Sequence, residues 1–302
     1  MAAPVALVTG GSSGIGEATA LELHRLGYRV YAAARRLDRM AGLADLGVVT
    51  VPTDLTDDGA MVDLVDRIIG ENGRIDVLVN NAGYGSYGSL EEVPLSEARR
   101  QVEVNVFALA RLTQLVIPHQ RDRRSGTIVN VSSMGGRFGE PLGSWYHATK
   151  YAVEGLSDSL RIELAPFGID VVVIQPGAIR TEWGGIAAAS VLDRSGDGPY
   201  AGQARLTAKL LAAGENQGSS PEVVARAIGR AVTARRVRAR YAVGSGAKPM
   251  VLAARLLPAR AMDRIITGFY RAAARFVPDL PTQRRHPAAE HPPASDRPTL
   301  RS

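Results

Sequence analysis

Cysteine is absent from the 302-residue chain. Without thiols the protein has no disulfide framework, no cysteine-ligated zinc or iron–sulfur centre and no cysteine nucleophile. Histidine is scarce, and no two histidines stand four residues apart, as a metal-binding pair on one helix face would. We therefore expect no metal site.

Long apolar runs are missing as well. None approaches the roughly 18 residues that a membrane-spanning helix requires. The amino terminus, Met-Ala-Ala-Pro-Val, lacks the basic residues that precede the apolar stretch of a secretory signal peptide. The hydrophobic content of 45% and the charged content of 22% are ordinary for a globular protein with a sizeable core. We expect a cytoplasmic protein.

Lysine is rare, and the positive charge is unevenly placed. Only Lys150, Lys209 and Lys248 stand against thirty-three arginines. Residues 246–302 carry ten basic and four acidic side chains, which accounts for the whole formal charge of +6 and leaves residues 1–245 neutral overall. The basic character therefore belongs to a C-terminal extension. This extension lacks interleaved aromatic residues and a recognisable binding motif, so we expect no nucleic-acid partner.

Short β-branched runs alternate with helical patterns along residues 5–245. Strands are predicted at Val5–Thr9, Val30–Ala34, Val48–Val51, Val77–Val79, Thr127–Val131 and Asp170–Gln175. Helices are predicted at 17–26, 57–70, 95–119 and 145–166. Nearly unbroken apolar runs of this kind are typical of parallel strands buried on both faces. We predict an α/β fold, with residues 1–245 forming a single doubly wound domain around a parallel sheet.

Two segments depart from this alternation. Residues 182–220 are rich in Gly, Ala and Ser, with a weak helical pattern around 205–212, which indicates a long mobile loop over a substrate site. In the extension, residues 246–302, apolar residues between arginines over 250–270 predict an amphipathic helix. Six prolines from Pro278 onward then predict a disordered tail.

A glycine-rich turn follows the first predicted strand and opens the first predicted helix. It reads Thr9-Gly10-Gly11-Ser12-Ser13-Gly14-Ile15-Gly16. Glycines suit this place because a pyrophosphate can then approach the backbone N–H groups of a helix N-terminus without meeting a Cβ atom. The turn indicates a Rossmann-type dinucleotide site.

The end of the second predicted strand indicates which dinucleotide binds. NAD-preferring Rossmann proteins usually carry a carboxylate there for the ribose 2′-hydroxyl. This chain has Arg35 and Arg36 instead. A guanidinium is a planar, permanently charged fork suited to a phosphate. We predict NADP(H) in preference to NAD(H), with Arg35 on the 2′-phosphate and Arg36 stacked on the adenine.

A tyrosine and a lysine share one face of the predicted helix 145–166. Tyr146 and Lys150 are four residues apart, so their side chains are neighbours on a helix. A neighbouring ammonium group lowers the pKa of a phenol, which makes it a better proton carrier near neutral pH. Upstream, Ser133 follows the strand Thr127–Val131, at the sheet edge where open α/β folds bind ligands.

Together these residues resemble the short-chain dehydrogenase/reductase family over about residues 4–245. The elements that match, in order, are Thr9–Gly16, Asp54, Asn80–Gly83, Asn105, Ser133, Tyr146, Lys150 and Pro176–Thr181. No catalytic element of the family is missing from the sequence.

The resemblance implies a role for each catalytic position. Tyr146 would be the general acid in carbonyl reduction and the base in alcohol oxidation. Lys150 would lower the pKa of Tyr146 and bind the nicotinamide ribose. Ser133 would hold the substrate oxygen. Asn105 would anchor a water molecule that links Lys150 to solvent.

The resemblance also implies a cofactor site. Asp54 would accept from the adenine amino group, although either carboxylate of Asp54-Leu-Thr-Asp57 could instead form a turn or a helix cap. The backbone of Ile179 would bind the carboxamide. The cofactor-binding residues implied are Gly10, Ser12, Ser13, Gly14, Ile15, Gly16, Arg35, Arg36, Asp54, Leu55, Asn81, Ala82, Gly83, Tyr146, Lys150, Pro176, Gly177, Ile179 and Thr181.

The expected substrate site is mostly apolar. The resemblance implies that it is formed by residues 135–141, by residues 84–87, by residues near Trp145 and by the insertion that begins at Trp183. Its predicted residues are Ser133, Gly135, Phe138, Tyr146 and Trp183, with Leu142, Trp145 and Ile186 nearby. We predict an NADP(H)-dependent oxidoreductase that acts on a hydrophobic ketone, aldehyde or alcohol. His147 is interpreted as structural. The family resemblance also implies a homodimer or homotetramer.

Two other functions remain open. One is alcohol oxidation with NAD(P)+, as in hydroxysteroid or retinol dehydrogenases. The other is a non-catalytic dinucleotide-binding regulatory or docking protein. For the helix over 250–270 there are likewise two interpretations: peripheral contact with a membrane, or packing against its own domain or a neighbouring subunit.

Overall fold

A parallel sheet forms the centre of the molecule. The computed structural model describes residues 2–276, with only the backbone described at residues 215 and 276. Its strands are β1 Val5–Thr9, β2 Arg29–Ala34, β3 Val49–Pro52, β4 Val77–Asn80, β5 Gly126–Val131, β6 Ile169–Pro176 and β7 Arg240–Val243. They pair in the order β3-β2-β1-β4-β5-β6-β7. The predicted fold class is confirmed, and each predicted strand agrees to within one residue at either end.

Helices connect the strands and continue beyond them. Within residues 2–276 they are α1 Gly14–Arg25, α2 Ala41–Asp45, α3 Asp58–Asn72, α4 Leu95–Val102, α5 Ala108–Asp122, α6 Ser144–Leu164, α7 Trp183–Ser195, α8 Ala201–Gln217, α9 Pro221–Thr233, α10 Ala247–Leu256 and α11 Ala259–Phe276. The predicted helix 95–119 is two helices, because a π-helical turn over Glu103–Phe107 joins α4 to α5. Such turns are frequent at functional sites.

The sheet is covered on both faces. On one face, Leu23 of α1 and Ile228 of α9 are fully buried in an apolar core with the strands. On the other, Leu64 and Ile68 of α3 and Leu112 of α5 are buried in a second core. Burial on both faces explains why the strand sequences are continuously apolar rather than alternating.

The strand order reverses direction beside β1. Connections lead from β1 to β2 and β3 on one side, and to β4, β5, β6 and β7 on the other. In open α/β sheets, ligands bind outside the carboxyl ends of the strands at this switch point. The loops that follow Thr9, Asn80 and Val131 therefore meet at one edge.

Residues 182–220 are helical along most of their length, unlike the long loop that their composition predicts. Ala187 and Val191 of α7 and Ala204 and Ala208 of α8 are buried together in a small apolar core. Alanine side chains are small, so two helices can approach closely. In the sequence, however, alanines among frequent Gly and Ser residues produce little hydrophobic periodicity, so the two helices are not predicted. The weak helical pattern noted at 205–212 lies within α8.

The extension contains two helices where the sequence predicts one over 250–270. Leu257 adopts an extended conformation before Pro258, and proline cannot continue a helix. Met262 and Ile266 of α11 are buried against Phe138, so the extension packs on its own domain. Phe269, on the same helix, is 57% exposed. The predicted disorder from Pro278 onward lies outside the described residues.

Candidate active site

A cavity of about 1110 Å³ opens at the carboxyl edge of the sheet. The predicted site residues that line it are Gly10, Ser12, Ser13, Gly14, Ile15, Arg35, Arg36, Asp54, Leu55, Asn81, Ala82, Gly83, Ser133, Gly135, Phe138, Tyr146, Lys150, Pro176, Gly177, Ile179, Thr181 and Trp183. Ile186 also lines it, whereas Gly16, Asn105, Leu142 and Trp145 are not among its lining residues.

Two parts of this cavity differ in construction. We call the part formed by residues 10–15, 33–36 and 53–56 the glycine half. The part formed by residues 133–140, Trp183 and residues 269–273 is the aromatic half. The two parts meet at residues 81–83 and 176–181.

The glycine half is shaped by backbone contacts that exclude a Cβ atom. A Cβ on Gly16 would lie 2.1 Å from the carbonyl oxygen of Gly10, and Gly10 itself has a φ of +68°. Ser13 precedes α1 but its side chain does not cap the helix. The first N–H groups of α1 therefore lack a side-chain acceptor next to the cavity, as a phosphate-binding helix N-terminus requires.

Asn81 ties the end of β4 to this turn. Its side-chain amide donates to the carbonyl oxygen of Thr9 at 2.9 Å, and its backbone N–H donates to the Thr9 hydroxyl at 3.0 Å. The Ala82 N–H donates to the same hydroxyl at 3.0 Å. These bonds hold the loops after β1 and β4 side by side.

The carboxylates of Asp54 and Asp57 have different roles. Asp57 caps α3 by accepting from the N–H of Ala60 at 3.2 Å. Asp54 lines the cavity, and one of its oxygens accepts from the N–H and hydroxyl of Thr56. These bonds hold the pKa of Asp54 below its usual value, with a smaller contribution from the positive charge of Arg35.

Ser133 begins the aromatic half. It has an extended backbone at the start of a short 3₁₀ turn over Met134–Gly136, and its hydroxyl accepts from the N–H of Gly135 at 3.0 Å. The hydroxyl proton can be donated to the phenol oxygen of Tyr146 or to an acceptor in the cavity.

Tyr146 projects from the first turn of α6 into an aromatic cluster. Its ring centroid lies 5.1 Å from that of Trp183 and 5.5 Å from that of Tyr87. Burial raises the pKa of Tyr146 to about 12, a hydrogen bond with Ser133 acts in the opposite direction, and the charge of Glu140 raises it further. The phenol is therefore protonated at neutral pH.

Lys150 lies one helical turn after Tyr146. Its Nζ donates to the carbonyl oxygen of Val131 at 3.0 Å and lies 5.9 Å from the centroid of the Tyr146 ring. Burial lowers the pKa of Lys150 to about 8, against the attraction of Glu154. Ser133 is the group that lowers the pKa of Tyr146 in this structure; the corresponding effect of Lys150 stays a prediction.

Asn105 is buried inside the π-helical turn. Its amide nitrogen donates to Tyr84 O at 2.9 Å and to Thr149 Oγ1 at 3.1 Å, and its oxygen accepts from the N–H of Tyr84 at 3.0 Å. These contacts hold the backbone after Gly83 against α6. The water-anchoring role implied by the family resemblance is a separate prediction.

His147 holds the loop that follows Ser133. The N–H of Glu140 donates to Nε2 at 3.0 Å, so Nε2 carries no proton. Nδ1 therefore carries the proton and donates to the carbonyl oxygen of Gly135 at 2.8 Å. Both ring nitrogens are used by the backbone, in agreement with the structural interpretation of His147.

Sequence reasoning missed several residues of the lining, notably Arg100, Phe269 and Tyr270. Arg100 adds a third arginine beside the glycine half. Phe269 and Tyr270 belong to α11, so the extension supplies part of the aromatic half. Glu140 lies within the range 135–141 that is expected to form the substrate site, and it does line the cavity.

Residues 2–276 contain neither a candidate metal centre nor a membrane-spanning helix. No three His, Asp or Glu side chains within residues 2–276 form a group that could hold a metal ion. No helix in that same range is both long and apolar enough to cross a bilayer.

Comparison with known proteins places the chain among oxidoreductases. Residues 4–188 match the family model described as short chain dehydrogenase. The chain is 35% identical over 240 residues to 3-ketodihydrosphingosine reductase of Bacteroides thetaiotaomicron, which covers 80% of this chain and 87% of the relative. It is 34% identical over 281 residues to NADPH-dependent 3-dehydrocapnine reductase of Ornithobacterium rhinotracheale. This match covers 88% of this chain and 96% of the relative.

A solved structure supports the same assignment. A variant of actinorhodin polyketide ketoreductase, crystallised with NADPH, superposes with a TM-score of 0.67 at 30% identity, covering 79% of this chain and 94% of the ketoreductase. The ketoreductase and this chain therefore share one fold. The chain is a member of the short-chain dehydrogenase/reductase family of oxidoreductases.

Proposed function

We propose that the protein is an NADP(H)-dependent oxidoreductase that interconverts a carbonyl and an alcohol on a hydrophobic substrate, with Tyr146 as the acid and base. One observation carries the proposal. Ser133, Tyr146 and Lys150 face the same cavity as an uncapped helix N-terminus and its glycine turn. A proton donor and a dinucleotide site therefore share one space.

The residues of the glycine half fit a dinucleotide. The turn after β1 leaves no room for a Cβ at Gly16, and the N–H groups that follow it are free to bind phosphate. Asp54 has one carboxylate oxygen without a bond to Thr56, and this oxygen would accept from the adenine amino group. A bound nicotinamide supplies the hydride chemistry.

The choice of NADP(H) rests on charge. The end of β2 presents Arg35 and Arg36 to the cavity and no carboxylate, and Arg100 lines the cavity nearby. A 2′-phosphate would meet permanently charged donors there. The relative named as NADPH-dependent and the ketoreductase crystallised with NADPH support the same choice.

The phenol of Tyr146 is protonated at neutral pH and can donate its proton to the carbonyl oxygen of a substrate. Burial, which raises the pKa of Tyr146 to about 12, makes the phenol a weaker acid, and the groups that act against burial are the hydroxyl of Ser133 and, in this proposal, the ammonium group of Lys150. The Ser133 hydroxyl would bind the same oxygen and stabilise the negative charge that develops on it. Lys150, with a pKa of about 8, remains mostly protonated and adds positive charge beside the phenol. Alcohol oxidation uses the same residues in reverse.

The proposal of a hydrophobic substrate rests on the side chains that line the aromatic half of the cavity. Phe138, Trp183 and Phe269 supply apolar surface beside Tyr146. Two relatives are named as reductases, one of them of a 3-keto compound. We therefore place reduction of a hydrophobic ketone ahead of the oxidation expected of a hydroxysteroid or retinol dehydrogenase.

A direct titration with NADPH and NADH tests the cofactor assignment. We expect the wild type to prefer NADPH by tenfold or more, about 1.4 kcal/mol. Arg35→Ala should lose most of this preference while NADH affinity is unchanged. Arg39→Ala is the matched control, because Arg39 does not line this cavity and is paired with Glu182.

Two results would count against the proposal. A wild-type preference for NADH would refute the role of Arg35 and favour alcohol oxidation. Binding of neither nucleotide would contradict every function that depends on a dinucleotide, and would leave a docking role without cofactor or catalysis.

A further inference from the structure

Glu140 is a carboxylate in the wall of the aromatic half, beside the phenol of Tyr146. It lies in the loop between the 3₁₀ turn and α6, and its side chain is 24% exposed. The other carboxylates of the lining have protein partners: Asp54 accepts from Thr56, Glu97 is paired with Arg194, and Glu182 is paired with Arg39.

Glu140 has no comparable partner among residues 2–276. The nearest basic atom is Nε2 of His147, at 3.8 Å from the carboxylate. That nitrogen already accepts the backbone N–H of Glu140 and carries no proton, so it cannot donate to the carboxylate. Burial also lowers the pKa of His147, which keeps the ring neutral at pH 7.

The surroundings make a lone negative charge unfavourable. Burial raises the pKa of Glu140 to about 7. Its charge in turn raises the pKa of three phenols, those of Tyr87, Tyr146 and Tyr270. A partly buried carboxylate without a partner is destabilising, and a cation supplied by a ligand would reduce that cost. The carboxylate faces the space where the substrate of the proposed reaction would lie.

We infer that Glu140 determines specificity by binding a primary ammonium group of the substrate, close to the carbonyl that is reduced at Tyr146. The inference rests on the proposed function. Glu140 and Tyr146 line one cavity and are close enough for the charge of Glu140 to act on the phenol, so the ammonium group and the carbonyl belong to the same end of the substrate. The substrate class is a ketone with a nearby amino group and an apolar remainder.

The cavity also offers an apolar surface for the rest of the substrate. Phe138, Trp183 and Phe269 line the same half of the cavity, and Ala273 continues the lining one turn further along α11. A chain leaving the polar end would therefore run along these side chains toward α11. An ion pair beside the reacting carbon fixes which carbonyl of a flexible chain is presented to Tyr146.

A binding experiment tests the ammonium site without turnover. The complex with NADP+ is titrated by calorimetry with n-octylamine and with 1-octanol, which share one apolar chain. We expect the amine to bind at least tenfold more tightly at pH 8. Glu140→Gln should abolish that difference, leaving the affinity for octanol unchanged. Glu91→Gln, at an exposed carboxylate outside the cavity, is the control.

Turnover gives a second, independent readout. A 2-amino-3-ketone and the 3-ketone of the same chain length are compared as substrates. Glu140→Gln should raise KM for the amino ketone tenfold or more relative to KM for the plain ketone, whereas any change in kcat that follows from the altered pKa of Tyr146 should be common to both substrates. A general loss of packing would instead raise KM for both substrates. If Glu140→Gln does not fold, the wild-type comparison of amine and alcohol decides the question.

The outcomes separate the two proposals. Equal wild-type affinity for octylamine and octanol, or an amine preference that survives in Glu140→Gln, overturns the inference alone. Failure to bind NADPH, or to reduce either ketone when NADPH is bound, contradicts the proposed function. An amine preference that depends on Glu140 would still establish the ammonium site in that case.

Discussion

The glycine half of the cavity is built from backbone, whereas the aromatic half is built from side chains of distant segments. In the glycine half, Gly10 and Gly16 pack so closely that one Cβ atom would collide with a carbonyl oxygen. In the aromatic half, Trp183 of α7 and Phe269 of α11 meet Tyr146 of α6 in one lining. The first arrangement suits a ligand that is the same in many enzymes, and the second can vary with the substrate.

Tyr146→Phe should have the largest effect and should separate the two halves. Without the phenolic oxygen there is no proton donor for the carbonyl, so we expect kcat to fall by about 10²- to 10⁴-fold. NADPH affinity should be unchanged, because the glycine half is intact. Steady-state kinetics and a cofactor titration check both statements. Tyr151→Phe, at a 48% exposed tyrosine on the same helix, is the control. Substantial residual turnover would refute the assignment of Tyr146.

Gly16→Ala should have the opposite effect to Tyr146→Phe. It should weaken the binding of NADPH and leave the side chains of the aromatic half unchanged. The added Cβ would lie 2.1 Å from the Gly10 carbonyl oxygen, so the turn must move. We expect NADPH affinity to fall by roughly tenfold or more, since a displacement that removes even one charge-assisted phosphate contact costs about 1.5–3 kcal/mol. Gly70→Ala in α3 has open space around its Cβ and should bind NADPH normally. Normal binding by Gly16→Ala would show that this turn does not hold the cofactor.

The difference between the two halves also explains which site residues the sequence could predict. The turn from Thr9 to Gly16 is contiguous, and Tyr146 and Lys150 are one helical turn apart, so short-range rules identify them. Phe269 reaches the site only through the packing of α11 against Phe138, more than a hundred residues away in sequence. No local pattern carries that information.

Two errors of the fold prediction have a similar origin. β7 is short and half-buried and contains Arg240, so it lacks the apolar signal of the other strands. α7 and α8 bury alanines against each other, and alanine-rich helices resemble loops in composition when glycine and serine are frequent. In both cases tertiary packing, rather than periodicity, decides the structure.

The pH dependence of stability should distinguish Glu140 from surface carboxylates. Its pKa is about 7 in the folded protein, against 4.5 for an ordinary glutamate. As the pH rises from 4.5 to 7, the unfolded chain releases this proton and the folded protein retains it, so stability falls. Glu140→Gln removes that loss and should be more stable than the wild type at pH 8 by at most about 3 kcal/mol, and by less because the side chain is 24% exposed to solvent, with no such gain at pH 4.5.

Chemical denaturation at several pH values measures this difference. Glu91→Gln, at an exposed carboxylate, should follow the wild type at every pH. A stability gain for Glu140→Gln that is equal at pH 4.5 and pH 8 would mean that packing, and not ionisation, is responsible.

The smallest expected effect comes from substituting the exposed leucines of α10, and this change tests whether the extension contacts a membrane. Leu252 and Leu256 are 56% and 69% exposed on α10, and Arg255, three residues after Leu252 on the same helix, is exposed as well. Apolar and basic residues on one face favour contact with an anionic bilayer surface. We expect sedimentation with phosphatidylserine vesicles that weakens with salt and is reduced in the double variant Leu252→Gln/Leu256→Gln. Leu90→Gln, at a 62% exposed leucine, should sediment like the wild type. Sedimentation of the double variant equal to that of the wild type would leave packing on its own domain as the whole role of these helices.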